Sequence, residues 1–330
     1  MTETLTIPGL GSFGPDAGLL ALAESSDGAS RVGANGVVSI TATGDRKVEF
    51  IATRERTLAY VASALGYPAY YPILPVRIEK PLLAVLMDLD GTSVRSEDFW
   101  VWIIEQSIAS VLKNPRFTLE EADLPFVQGH SVSEHLRYCL DKYASGKLLE
   151  DARAFYFEHT RREMQAILAG HGRADAFTPT PGLKDFLLAL KAKGIQIGLV
   201  TSGLYEKAYP EILAAFRSLG LGDPREFYDA IITAGFPMRR GEVGTLGELS
   251  PKPHPWLYAE TARVGLGIPF EDRHRVVGIE DSGAGVCAIR LANFAVIGLA
   301  EGNIVEAGTQ ALCSLYCADF AEILEQIEAS

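Results

Sequence analysis

Residues 82–92 read LLAVLMDLDGT. Leu82 to Leu89 is a nearly continuous apolar run, the pattern of a strand buried on both faces of a parallel sheet. Asp88 interrupts it near its carboxyl end, and Asp90 follows just before Gly91 permits a close turn. A carboxylate beside Leu86 and Met87 is costly to bury unless it is used.

Working outward, the chain downstream of Pro181-Gly182 alternates between the two periodicities. Helix 183–193, strand 195–201, helix 204–218, strand 228–233, helix 255–265, strand 275–280, helix 284–292 and strand 293–299 follow in turn. Such alternation implies a parallel α/β sheet of Rossmann-like type. Between the first strand and this series, helices are expected near 97–112, 118–128, 131–145 and 149–169. This insertion, 94–179, is expected as a helical cap over the strand's carboxyl end.

Upstream, Val37–Ala42 and Lys47–Ala52 flank Thr43-Gly44-Asp45-Arg46 as a hairpin. Arg54–Leu65 has helical spacing and stops before Gly66-Tyr67-Pro68, and Tyr71–Ile78 is a further strand candidate. Residues 1–80 therefore read as a small α+β extension of β-β-α-β order. The letters GxGxxG at Gly9–Gly14 have no strand leading into them and read as a turn-rich segment. The expected organisation is an extension (1–80), an α/β core (81–93 and 180–330) and a helical cap (94–179).

Composition narrows the function classes. Of 330 residues, 48% are hydrophobic and 22% charged, which is ordinary globular usage. A net charge of -12 disfavours a nucleic-acid partner but leaves room for a small anion, since local cations and a metal can reverse the field in one cleft. Cys139, Cys287, Cys313 and Cys317 form no CxxC pair and read as free thiols in a reducing compartment. No signal peptide and no membrane span are visible, so a cytoplasmic, membrane-free location is expected.

Ligands of open α/β sheets bind outside the carboxyl ends of the strands. Those ends carry Asp88-Leu89-Asp90-Gly91-Thr92, Thr201-Ser202-Gly203 and Gly278-Ile279-Glu280-Asp281-Ser282-Gly283, with Lys252 in Ser250-Pro251-Lys252-Pro253-His254-Pro255. In their order along the chain (DLDGT, TSG, KPHP, GIEDSGAG), and over about residues 81–300, the four stations resemble those of the haloacid dehalogenase superfamily, in particular its phosphatase and β-phosphoglucomutase-like branch. The resemblance does not extend to residues 1–80.

What the resemblance implies agrees with the chemistry of the residues. Phosphoryl transfer needs a nucleophile, a proton donor for the leaving group and positive charge around the transferring oxygens. Asp88 is the candidate nucleophile and Asp90 the general acid and base. Mg2+ suits the oxygen ligands of Asp88, Asp90 and Asp281, with Glu280 as a further ligand or a carboxylate behind them. Thr201, Ser202 and Lys252 are candidates for holding phosphate. His254 is expected on the loop surface. His130 and His135 are expected in the cap, near its hinge or surface.

The likeness has limits. Mutases of this branch carry a His twelve residues after the nucleophile, where this chain has Trp100, and an Arg after a cap glycine, where it has Val132. Asp90 speaks against dehalogenation, because halide departure needs no proton donor. Between Thr201 and Lys252 a surplus loop contains Arg239 and Arg240, candidates with Trp100 for substrate contact. The expectation is a magnesium-dependent phosphatase acting on a small phosphorylated metabolite, plausibly a sugar or polyol phosphate. A sugar-phosphate mutase and a non-catalytic phosphate-binding module are the alternatives.

Overall fold

The structure is a computed structural model and describes residues 4–62, 68–124, 132–173, 175–235 and 251–328. At the N-terminus, β1 (Leu5–Ile7) and β2 (Gly11–Phe13) form a short antiparallel ribbon. No helix follows it, but β1 leads directly into Gly9–Gly14 and Gly11–Phe13 is itself a strand, which corrects the reading of a turn-rich stretch with no strand before it; only Ile7–Leu10 is the turn. Next comes an antiparallel sheet of five strands in sequential order: β3 (Leu20–Leu22), β4 (Ser39–Ala42), β5 (Val48–Ala52), β6 (Thr57–Ala62) and β7 (Pro68–Ile73).

The hairpin expected around Thr43–Arg46 is β4–β5. The helix expected over Arg54–Leu65 is a correction: Thr57–Ala62 is strand β6, paired with β5 from Ala52↔Thr57 to Val48↔Val61. The helical spacing competes with a period-2 pattern in which Thr57, Ala59 and Val61 are all buried. Strand pairing prevails because it satisfies the free backbone edge of β5, which a helix leaves open. The last strand also lies earlier than expected, at Pro68–Ile73 rather than Tyr71–Ile78.

The α/β part is a six-stranded parallel sheet built from β8 (Ala84–Asp88), β11 (Gln196–Leu204), β12 (Ala230–Gly235), β13 (Val276–Glu280), β14 (Ala295–Leu299) and β15 (Leu315–Cys317). Its order is β12-β11-β8-β13-β14-β15. Every residue of β8, β13 and β14 is buried, as a strand covered on both faces requires. Strand β15 and the closing helix Phe320–Glu328 lie beyond the last expected element.

The chain forms two compact units. One comprises Met1–Ser93, Thr180–Tyr205 and Pro224–Ser330, so the N-terminal sheet and the parallel sheet share it. A single apolar cluster includes Phe50, Ala59, Val61 and Ile73 of the N-terminal sheet together with Val286, Ile289 and Val296. The other unit, Val94–Pro179 with Glu206–Asp223, contains α1 (Glu97–Leu112), α2 (Val132–Tyr143), α3 (Leu149–Leu168) and a two-residue ribbon of β9 (Val94–Arg95) with β10 (Thr178–Pro179). Most of α4 (Tyr205–Leu219) groups with this helical unit. Near 118–128 the described part is a short 3-10 turn, Glu121–Asp123. Among the described residues no helix is long and apolar enough to cross a membrane.

Candidate active site

The strand order puts β8 between β11 and β13, so three of the four stations meet at adjacent carboxyl ends. Asp88 is the last residue of β8 and is 5% exposed. Beyond it the chain turns sharply: the Ser93 hydroxyl donates to the Asp88 carbonyl at 2.5 Å, and the Ser93 amide to Leu89 O at 3.0 Å. Gly91 has φ +85°, and a Cβ there would lie 2.2 Å from Asp281 Oδ2. The turn thus needs glycine for its backbone and for its closeness to the neighbouring station. Thr92 donates to Asp281 Oδ1 at 2.7 Å, tying the first and last stations together.

Lys252 sits between two carboxylates. Its Nζ donates to Asp88 Oδ1 and to Glu280 Oε1, the latter at 2.5 Å, and its side chain is only 8% exposed. The other Glu280 oxygen accepts from the Asp281 amide (3.1 Å), the Ser282 amide (3.0 Å) and the Ser282 hydroxyl (2.9 Å). Tyr258 donates to Oε1 at 2.8 Å. Glu280 therefore accepts five hydrogen bonds and is spent on holding Lys252 and the start of helix α6, as follows. After α5 (Trp256–Glu260), α6 (Gly283–Leu291) opens with Ser282 as its cap, accepting from Gly285 N at 3.1 Å. A Cβ at Gly285 would come within 1.7 Å of Glu280 Oε1, so the small residues of GIEDSGAG leave room for a carboxylate at the helix end.

The electrostatics follow from the crowding. Carboxylate oxygens of Asp88, Glu280 and Asp281 lie within 4.8 Å of one another. Burial, then Glu280, push the Asp88 carboxyl well above the usual carboxylate range, with Lys252 opposing. Burial and Glu280 likewise push Asp281 up to about 7. Burial works against the Lys252 ammonium, but Asp88 and Glu280 outweigh it and raise its pKa. Three acids facing one buried ammonium leave excess negative charge, and hard oxygen donors at this spacing fit a divalent cation.

A pH dependence follows. With Asp281 at about 7 in the native state and 3.8 ordinarily, the folded protein retains a proton that the unfolded chain has released between these values. Metal-free stability therefore falls as pH rises through that window. Thermal denaturation in chelator should give a lower midpoint at pH 8 than at pH 5, and Asp281→Asn should flatten the slope. An equally steep fall in that variant would remove Asp281 as its source.

The remaining sequence-derived residues divide. Thr201 is buried in β11, just before the irregular last residues of the strand, and its Oγ1 accepts from Gly203 N at 2.9 Å, while Ser202 is exposed and its hydroxyl accepts from the Lys252 amide at 3.3 Å. Asp90 is partly exposed and close enough to contribute to the rise at Asp88. Trp100 belongs to the helical unit, where it packs edge-on against Phe99 (4.9 Å) with the Lys207 ammonium over its ring at 3.7 Å. Arg239, Arg240 and His130 lie outside the described residues.

His254 is a correction: it is 4% exposed, not on the loop surface, and its Nδ1 lies 2.7 Å from the Tyr71 hydroxyl of β7. Burial lowers its pKa and favours the neutral ring. Tyr258 and Thr92 are the polar neighbours that the sequence reading gave no role. Thr92 stood inside the motif DLDGT, whereas nothing in the spacing marked Tyr258 as a partner of Glu280.

Comparison with known proteins supplies the family. The model for haloacid dehalogenase-like hydrolases matches residues 82–293, which is most of the chain. No curated protein sequence matches it. Among solved structures, the "predicted phosphoglycolate phosphatase" of Haemophilus somnus 129PT has a TM-score of 0.56 at 19% identity, covering 74% of this chain and 97% of its own. CbbY of Rhodobacter sphaeroides in complex with phosphate has a TM-score of 0.51 at 20% identity, covering 73% and 96%. A variant of CbbY in complex with xylulose-1,5-bisphosphate gives 0.50 at the same identity and coverage. These likenesses show the fold, and the stretch matched by the family model contains all four stations, from Asp88 to Asp281. The chain belongs to the haloacid dehalogenase-like hydrolases.

Proposed function

We propose that this hydrolase is a magnesium-dependent phosphatase of small phosphomonoesters, with sugar or polyol phosphates as the substrate class. The observation that carries the reading is the buried Asp88 carboxylate at a strand end, bonded to Lys252 and grouped with Asp281 and Glu280. A carboxylate with no use there costs too much desolvation to persist. The solved complexes of CbbY with phosphate and with a sugar bisphosphate support a phosphorylated small ligand for this fold.

In the proposed reaction an Asp88 oxygen attacks phosphorus, forming an aspartyl-phosphate as the ester P–O bond breaks. Asp90 gives its proton to the departing oxygen, so the alcohol leaves neutral. Asp90, now a carboxylate, takes a proton from water as that water attacks phosphorus. The bond to Asp88 breaks, and inorganic phosphate leaves with both side chains restored. Lys252 neutralises the phosphoryl oxygens and the attacking carboxylate, Thr201 and Ser202 hold the phosphate, and Glu280 keeps Lys252 in place. Asp88, the Asp90 carbonyl and Asp281 would hold a divalent cation, which when bound would supply charge neutralisation at the phosphate. Since Glu280 accepts five hydrogen bonds, we assign it to the shell behind these ligands.

A panel of phosphate esters assayed with magnesium and with chelator tests this directly, reading released phosphate. Chelator should abolish turnover. Asp90→Asn should lose about 10²–10⁴-fold on a sugar phosphate and much less on p-nitrophenyl phosphate, whose phenolate leaves without a proton. Equal losses on both would remove Asp90 as the acid. Isomerised ester in place of free phosphate would turn the assignment to a mutase.

A further inference from the structure

We propose that Tyr71, in the N-terminal sheet, is a positioning residue for the Lys252 loop and acts through His254. The inference rests on the phosphatase reading of Lys252 but concerns a residue outside the segment 82–293 that the family model matches.

The loop Pro251–Pro255 has few means of holding itself. Prolines at 251, 253 and 255 provide no N–H, so only two backbone donors remain. One, on Lys252, makes a long bond of 3.3 Å to Ser202, and the other, on His254, closes a turn onto Pro251 O at 3.1 Å. Neither ties the loop to a fixed element beyond the site. The His254 side chain does, because its Nδ1 meets the Tyr71 hydroxyl at 2.7 Å. The rings also meet edge to face, with centroids 5.9 Å apart. Tyr71 contacts Trp256 in the same manner at 6.1 Å, and Trp256 opens the helix that carries Tyr258 to Glu280.

Strand β7 is a firm support. Asn293 accepts from Leu74 N at 2.8 Å and donates to Pro72 O at 3.2 Å. The buried Arg290 donates to Leu74 O at 2.8 Å and also to Gly9 O. Arg290 lies in α6, whose first residues follow Glu280 and Asp281, and Asn293 lies just beyond its end. Tyr71 thus stands on a strand pinned to the helix behind one station and reaches the loop of another. The pin and the reach act on the same pair, since Lys252 bonds Glu280. Losing the Tyr71 hydroxyl leaves the buried Nδ1 of His254 without this partner, whichever of the two carries the shared proton, and releases the loop by one bond.

The experiment compares wild type, Tyr71→Phe, His254→Asn, His254→Ala and the double variant Tyr71→Phe/His254→Ala, all as full chains with magnesium. KM and kcat for p-nitrophenyl phosphate and Ki for inorganic phosphate are measured beside the thermal midpoint. Tyr71→Phe should raise KM and Ki together by about three- to ten-fold, with kcat changing less than about twofold. His254→Asn, whose Oδ1 offers an acceptor in the Nδ1 position, should stay near wild type. His254→Ala should match Tyr71→Phe, and the double variant should be no worse than either.

A role in packing alone lowers the active fraction, and with it kcat, at unchanged KM and Ki. That pattern overturns the inference, as does a Tyr71→Phe protein indistinguishable from wild type. If His254→Ala is recovered unfolded, Tyr71→Phe alone decides. A wild-type chain that neither hydrolyses esters nor binds inorganic phosphate overturns the phosphatase reading and this inference together. An active wild type with an unaffected Tyr71→Phe overturns the inference only.

Discussion

Asp88→Asn is expected to lower kcat on every ester by about 10⁴-fold or more while the protein folds at least as firmly as wild type. The amide keeps the shape of the carboxyl and an oxygen for Lys252 but supplies no nucleophile. Side chains that hold the phosphate remain, so substrate binding should outlast turnover. Stability should not suffer, because burial and Glu280 already push Asp88 toward its neutral form. A neutral residue there relieves repulsion with Glu280 and Asp281 at the cost of one charged bond to Lys252. The measurements are steady-state rate, acid-quenched phosphoprotein and the thermal midpoint in chelator. No phosphoprotein should form in the variant. Appreciable magnesium-dependent turnover by a folded Asp88→Asn protein would sink the aspartyl-phosphate mechanism.

How far the sequence could be read depended on whether a residue's environment was local. Strand β8 was legible because a strand buried on both faces has no polar residue to spare, and Asp88 stood out against Ala84–Met87. Glu280-Asp281-Ser282 was legible for the same reason, coming after the apolar run of β13 and before small residues. The motifs located Lys252, and the pairing of β8 with its neighbours then brought the stations together. Strand β6 was not legible, since Arg54–Leu65 satisfies a helical spacing and an alternating one equally. The free edge of β5 decides between them, and that is a tertiary fact. His254 was misplaced for a similar reason. Between prolines it looked like a surface loop residue, and its cover comes from Tyr71, 183 positions away. The sequence leaves Glu280 open as ligand or supporting carboxylate, because two of the groups that donate to it, Lys252 and Tyr258, are remote in sequence.

Lys252→Met is expected to cost about 3–5 kcal/mol of metal-free stability near neutral pH and to lower kcat by about 10²–10³-fold. Methionine fills much of the volume of the lysine stem, so packing is largely kept and the loss is one of charge. Asp88 and Glu280 are then left buried with no cation between them, and breaking such a group from one side is far more costly than never building it. The sign with pH distinguishes this from a packing defect. The Lys252 ammonium has its pKa raised in the folded state, so its contribution is present throughout the range below the ordinary lysine value and is lost only as pH rises through the folded one. In the variant the Asp88 carboxyl, already raised by burial and Glu280, shifts further upward, and protonating it removes much of the penalty. The stability gap between variant and wild type should therefore be widest near pH 8 and narrow as pH falls toward about 4, where carboxylates take up protons. Magnesium should restore part of the stability by supplying charge beside Asp88 and Asp281, without restoring turnover, because the phosphoryl oxygens still lack their ammonium. Lys252→Arg keeps the charge but places a planar fork where one nitrogen meets two carboxylates, so it should recover stability only in part. The checks are denaturant unfolding across pH with and without magnesium, beside steady-state rates. A Met variant as stable as wild type at pH 8, or a gap that does not vary with pH, would mean that the lysine and its two acids do not form the buried trio on which the site depends.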